Sequence, residues 1–258
     1  MKDNYIGLFD SGIGGASVLI ELLKEMSNEK YLYLSDSLNN PYGDKTDEEL
    51  LNICKKNVKY LVSKNCKAIV IACNTASVRV ADILREENKK VPIFAIEPAY
   101  KMVYDYDYNK STLIMATKGT IESEKFKKLY NKYDNHKTYV LPCVGLADII
   151  EEGNKEKVKD YLKENISKYE GLVDDVVIGC THYAFIQDEI KEVLGDVKFY
   201  YGASGVAKHV KAVLEEKGLL ADKDNAGKIE FVDTSNSKLK EERFYNFLNY
   251  WKNIFHII

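Results

Sequence analysis

Val70-Ile71-Ala72-Cys73-Asn74-Thr75 and Val177-Ile178-Gly179-Cys180-Thr181-His182 present one pattern twice, 107 residues apart. In each, an apolar run ends at a cysteine and a polar, turn-like stretch follows. A short β-branched run bounded by turn residues reads as a strand buried on both faces. Other segments keep the same spacing. Asp10, which closes Ile6-Gly7-Leu8-Phe9, falls on Thr117, which closes Leu113-Ile114-Met115-Ala116. Residues 31–34 fall on 138–141, and residues 91–94 on 198–201. The chain reads as two copies of one unit.

Between the apolar runs lie amphipathic segments at 17–26, 48–64, 78–87, 122–133, 155–169 and 186–194. Strands that alternate with helical segments build parallel sheets covered by helices. The expected fold is therefore α/β, with two pseudo-symmetric α/β/α domains, mainly parallel sheets, and an active site in the cleft between them. The copies part within the acidic, tyrosine-rich stretch at 97–109. The last stretch, 205–258, has no counterpart in the first copy and could complete either half. We assign its helices to the first, giving domains 1–97 plus 210–258 and 98–209. Phe244, Phe247, Tyr250 and Trp251 near the C-terminus fit a helix packed on the chain's own core better than an interface stripe.

Composition narrows the function classes. The 258 residues and 45% hydrophobic content suffice for two cores. The net charge is −3, with 37 basic residues interspersed among 40 acidic ones, so nucleic acid is not an implied partner. No apolar run approaches the roughly 20 residues that span a bilayer, and the opening Met-Lys-Asp-Asn lacks the features of an export signal. A cytosolic protein is expected. An odd number of cysteines, five, without a CxxC pair, argues for free thiols rather than disulfides. The histidines His136, His182, His209 and His256 are scattered, so no metal is expected.

Ligands of open parallel sheets bind beyond the carboxyl ends of the strands, where both cysteine motifs fall. A lone cysteine after a strand is usually a small buried hydrophobe, and that reading stands for Cys54, Cys66 and Cys143. For Cys73 and Cys180 it is outweighed by the retention of the thiol in both copies. Each would sit at a helix start, where the dipole and backbone N–H groups are expected to lower both thiol pKa values equally. Two equivalent thiols suit proton exchange at one carbon from both faces. One group removes a proton while the other supplies one, and neither a metal nor a cofactor is required.

Asp10-Ser11-Gly12-Ile13-Gly14-Gly15, Pro41-Tyr42-Gly43, Ala72-Cys73-Asn74-Thr75-Ala76-Ser77, Thr117-Lys118-Gly119-Thr120-Ile121 and Gly179-Cys180-Thr181-His182-Tyr183 together resemble the glutamate racemases of the cofactor-independent aspartate/glutamate racemase superfamily. The resemblance implies two-base racemisation of glutamate that supplies D-glutamate for peptidoglycan, without pyridoxal phosphate, in a homodimer. It implies that Cys73 acts first on D-glutamate and Cys180 first on L-glutamate, with Asp10 assisting Cys73 and His182 assisting Cys180. Substrate binding is expected at Asp10, Ser11, Tyr42, Gly43, Asn74, Thr75, Thr117, Thr120, Thr181 and His182. Asp10 and the two threonines Thr117 and Thr120 also fit a plainer role as helix caps. The chain differs from the family pattern at Ala184, at Ser35 to Asn40, and at Tyr200 to Ser204.

The same residues allow other readings. Aspartate or another acidic amino acid could be the substrate. Gly12-Ile13-Gly14-Gly15 after a strand faintly resembles a dinucleotide site, although Ser17 stands at the third glycine position. A non-catalytic binding protein could keep the same shape.

Overall fold

A computed structural model describes residues 2–222 and 224–254. His256 lies outside the described residues. The first half runs β1 (Ile6–Asp10), α1 (Ala16–Glu25), β2 (Lys30–Ser35), α2 (Asp47–Ser63), β3 (Ala68–Ile71), α3 (Asn74–Glu87) and β4 (Ile93–Ala95). After α4 (Tyr100–Tyr106), the second half follows with β5 (Thr112–Ala116), α5 (Lys118–Ile121), α6 (Glu124–Tyr133) and β6 (Thr138–Pro142). It continues through α7 (Leu146–Glu151), α8 (Lys155–Ile166), β7 (Asp175–Gly179), α9 (Gln187–Leu194) and β8 (Lys198–Tyr201). The chain then returns through α10 (Ala203–Glu216), β9 (Lys228–Asp233) and α11 (Lys238–Ile254).

The first sheet has the order β4-β3-β1-β2-β9 and the second β6-β5-β7-β8, with every described pairing parallel. Read in the same direction, β4-β3-β1-β2 and β8-β7-β5-β6 are one topology repeated. The register shifts the sequence match slightly. Ile6 pairs with Ala68, whose counterpart Asp175 pairs with Thr112, so Asp10 corresponds to Ala116 and not to Thr117. Likewise Ile69 pairs with Ile93 while Val176 pairs with Phe199, one residue short of the 107-residue spacing. The cause at the first site is the turn. Asp10 is followed by a five-residue loop before α1, whereas β5 passes directly to Thr117, which caps α5 by accepting from the Thr120 N–H.

Alternate side chains of the central strands feed opposite faces, as period-two geometry requires. Ile6, Leu8, Tyr31, Tyr33, Ala68 and Val70 pack beneath α1, α10 and α11, while Phe9, Leu32, Leu34, Ile69 and Ile71 pack against α2 and α3. In the second half Leu113, Met115, Val176 and Ile178 face α7, α8 and α9, and Ile114 and Val177 face α4 and α6. Burial on both faces explains why these strands read as continuous apolar runs. Three helix boundaries differ from the periodicity. α3 begins four residues before 78 because its polar first turn, Asn74 to Ser77, is itself buried; the expected 122–133 helix is interrupted where Ser123 caps α6; and 155–169 ends in a 3-10 turn.

The C-terminal stretch joins the first sheet through β9 on β2. At the start of β3, the end of the strand opposite Cys73, the buried Lys67 ammonium bonds Glu29 at 2.5 Å and the Leu219 carbonyl at 2.8 Å, tying that segment down. Phe244 is fully buried against Tyr33 and Phe231, Phe247 stacks on Phe185, and Tyr250 is 58% exposed. Phe244→Ala is therefore expected to cost about 3–5 kcal/mol of unfolding free energy, and Tyr250→Ala less than about 0.5 kcal/mol. Equal losses in denaturant titrations would contradict this docking of α11.

Candidate active site

Cys73 and Cys180 each lie just past a central strand end, at the N-cap positions of α3 and of the 3-10 turn Thr181–Ile186. Both thiols line one narrow cavity of about 70 Å³. Its first-half wall comes from Ser11, from Tyr42 and Gly43, and from Asn74 and Thr75. Its second-half wall includes Thr117, Thr181 and His182, and also Cys143, which the sequence reads as a buried hydrophobe away from the site. Asp10 and Thr120 stand one layer behind. Asp10 accepts from the Gly15 N–H at 2.7 Å and from the Thr181 hydroxyl at 3.2 Å, so it caps the start of α1 from a distance. Thr120 is fully buried and hydrogen-bonds Thr75 and Thr117. A larger hollow of about 770 Å³ beside Phe185, Phe247 and Trp251 contains neither thiol.

The glycine-rich loop after β1 has its own explanation. A Cβ on Gly12 would fall on the Glu151 carboxylate, and one on Gly14 would fall on the His182 ring. These glycines admit side chains from the second half, not a pyrophosphate. The space that a dinucleotide fingerprint requires is filled by the chain itself, which removes the faint dinucleotide reading. Tyr42 also differs from expectation in one respect: its hydroxyl donates to Asp36 at 2.6 Å, inside the first half. Its loop is held by Arg79, which donates to the Lys45 carbonyl at 2.7 Å and pairs with Asp47 at 2.6 Å.

The two thiols have different surroundings. Burial pushes the Cys73 thiol well above its ordinary pKa and the Asp10 charge adds to this, against a smaller opposing effect of the Ala76 N–H. The expected lowering by the helix start is thus overturned for Cys73, because desolvation of a thiolate outweighs the dipole. Asp10 is itself raised by burial, in part offset by His182 and by the Gly15 and Ser11 amides. Beside Cys180, the His182 Nδ1 lies 3.9 Å from the sulfur and Nε2 lies 2.6 Å from Glu151. Burial alone would lower the ring's pKa, but Cys180 and Glu151 together raise it well above 6.5.

Glu151 was not legible in the sequence. It ends a short apolar helix outside the repeated motifs and, beside Glu152, reads as a solvated acid. In the structure its carboxylate is buried and also bonds Lys240 at 2.8 Å and the Ile13 N–H at 3.3 Å. Burial would raise its pKa, yet His182 and Lys240 hold it down at about 2. Among the described residues, no three His, Cys, Asp or Glu side chains are grouped to hold a metal ion. Three buried polar atoms at the site lack partners: Oδ1 of Asp10, and both amide atoms of Asn74. Buried polar groups are rarely left so, and their clustering beside the thiols fits a functional site.

The raised His182 and lowered Glu151 pKa values have a definite sign. The histidine contributes stability fully below 6.5 and loses it as pH rises through its folded value; the glutamate contributes above 4.5 and loses it as pH falls toward about 2. The pair therefore stabilises most between those two ordinary values. Ring nitrogen NMR is expected to show His182 as an imidazolium at neutral pH and a lower pKa in Glu151→Gln. A neutral ring in the unsubstituted protein would contradict the pairing.

The chain has relatives with known names. Residues 33–210 match the Asp/Glu/Hydantoin racemase family. A glutamate racemase of Clostridium perfringens is 41% identical over 239 residues, covering 91% of this chain and 92% of the relative. A glutamate racemase of Clostridium botulinum is 41% identical over 242 residues, covering 92% and 94%. The crystal structure of the Francisella tularensis glutamate racemase in complex with D-glutamate superimposes with a TM-score of 0.82 at 29% identity, over 96% of this chain and 95% of that one. With its two sheets and paired cysteine turns, and with these matches across nine-tenths of its length, the chain belongs to the Asp/Glu/hydantoin racemase family.

Proposed function

We propose that the chain interconverts L- and D-glutamate by proton exchange between two thiols, supplying D-glutamate for peptidoglycan. The observation that carries this reading is that Cys73 and Cys180, one from each half, line a single narrow cavity. A planar carbon held between them can lose a proton to one sulfur and gain one from the other.

In one direction the Cys180 sulfur, as thiolate, takes the α-proton of L-glutamate. The C–H bond breaks toward sulfur, and the Cys73 thiol delivers its own proton to the opposite face. The reverse direction exchanges the roles. Cys73, pushed up by burial, suits proton donation, and Asp10 behind it can take up the proton that must leave before Cys73 serves as base. The His182 ring, its pKa raised by Cys180 and Glu151 against the effect of burial, stands 3.9 Å from the Cys180 sulfur and can return a proton to it. The N-terminus of α3 at Asn74 and Thr75 offers backbone N–H groups to a carboxylate. The unpartnered Asn74 amide at the wall suits the carboxylate of an amino acid, and the Asp10 charge behind the wall favours its ammonium. Ser11, Thr117 and Thr181 add hydroxyls at the wall, Gly43 leaves room there, and Thr120 braces Thr117.

The relatives named glutamate racemase support glutamate as substrate. The same reading assigns the protein to the cytoplasm as a homodimer, and divides it into domains 1–97 plus 210–258 and 98–209. No helix among the described residues is long and apolar enough to cross a membrane. Light scattering is expected to give twice the 29.5 kDa chain mass; a monomer at working concentration would remove the dimer from the account.

Substitution tests the chemistry. Cys73→Ser and Cys180→Ser are each expected to lower racemisation of glutamate by at least about a thousandfold, with aspartate run in parallel to test the choice of substrate. Gly14→Ala, which pushes His182 away from Cys180, is expected to cost about a hundredfold. Wild-type rates in both serine variants would show that another group carries the reaction.

A further inference from the structure

The Glu151 carboxylate is touched from every side. Ile13 of the loop after β1 donates its N–H, His182 of the 3-10 turn donates Nε2, and Lys240 of α11 bonds the other oxygen at 2.8 Å. Arg243, one turn further along α11, donates to the Glu151 main-chain carbonyl at 2.6 Å. Asp10 from β1 and Tyr33 from β2 also feel its charge. Like Lys238 at the start of the same turn, Lys240 stands against the helix dipole. It lies in the first turn of α11, the positive end of the helix dipole, where a cation is disfavoured by a few tenths of a kcal/mol or more. A nearby buried carboxylate reverses that preference.

We propose that Lys240 is a positioning residue for proton transfer at Cys180, holding the Glu151 carboxylate that fixes the His182 ring beside the sulfur, while Arg243 anchors the Glu151 main chain. The inference rests on the two-thiol reading above. It gives α11, part of the C-terminal stretch outside the repeat, a role in one half of the site only. With Lys240 in place, the second Glu151 oxygen is satisfied, and the first stays on Nε2. Without it, the carboxylate can turn toward water at the cleft, and Nδ1 loses its aim at the thiol.

The test uses the full chain and α-deuterated L- and D-glutamate. Lys240→Met is expected to lower kcat by about tenfold to a hundredfold in both directions, as a small misplacement of a reacting group does, with KM changed less than about twofold. Lys240→Arg is expected to restore most of the loss. The diagnostic readout is the isotope effect. As transfer at Cys180 becomes slower, the α-deuterium effect rises for L-glutamate, from which Cys180 takes the proton, and falls for D-glutamate, to which Cys180 returns a solvent proton. A variant that is merely less folded would lose activity with both isotope effects unchanged, and that result overturns the proposal, as does wild-type kcat in Lys240→Met. Failure of the unsubstituted protein to racemise either enantiomer would instead overturn the two-thiol reading itself.

Discussion

A buried carboxylate beside two absent side chains holds the site together. Glu151 fits against the loop after β1 only because Gly12 has no Cβ, and His182 fits only because Gly14 has none. Through these contacts the first-half loop, the 3-10 turn after Cys180 and α11 meet at one charge. An uncompensated buried carboxylate is costly, and removing one partner of such a network typically costs several kcal/mol. The pairing therefore constrains how the two halves sit. It keeps the two strand ends that carry the thiols facing one cavity.

Much of the fold is visible in the sequence because burial on both faces writes a strand as an unbroken apolar run. Val70-Ile71-Ala72 and Val177-Ile178-Gly179 needed no partner to be read, and their repetition implied the second sheet. The cysteines, Asn74, Thr75, Thr181 and His182 were legible because they follow those strands directly. Less visible was anything set by a turn. The one-residue slip of Asp10 against Ala116 reflects a loop whose length spacing alone could not align. Glu151 was hidden for a different reason: its partners lie 31 and 89 residues away, and nothing local marks it as buried.

The site is duplicated in layout and unequal in chemistry. Desolvation dominates at Cys73 and raises its pKa, which the helix start alone would have lowered. At Cys180 an imidazole with a raised pKa stands within reach of the sulfur, itself held by an acid that a lysine backs. This difference follows from what each half has around it. The thiol of the first half faces the end of its own β1 strand, while that of the second draws on α7 and, through it, on the C-terminal helix. A two-base reaction between mirror-image substrates tolerates such asymmetry, because in each direction one thiol serves as base and the other as acid, and the reverse direction exchanges the roles.

The central claim is that the proton removed and the proton delivered travel through different sulfurs. Unlabelled L-glutamate incubated with the protein in deuterium oxide, and sampled before equilibrium, separates the possibilities. The D-glutamate formed is expected to carry deuterium at the α-carbon while the remaining L-glutamate keeps its hydrogen. Product that retains the substrate's own α-hydrogen would point to a single base acting on both faces and would contradict it.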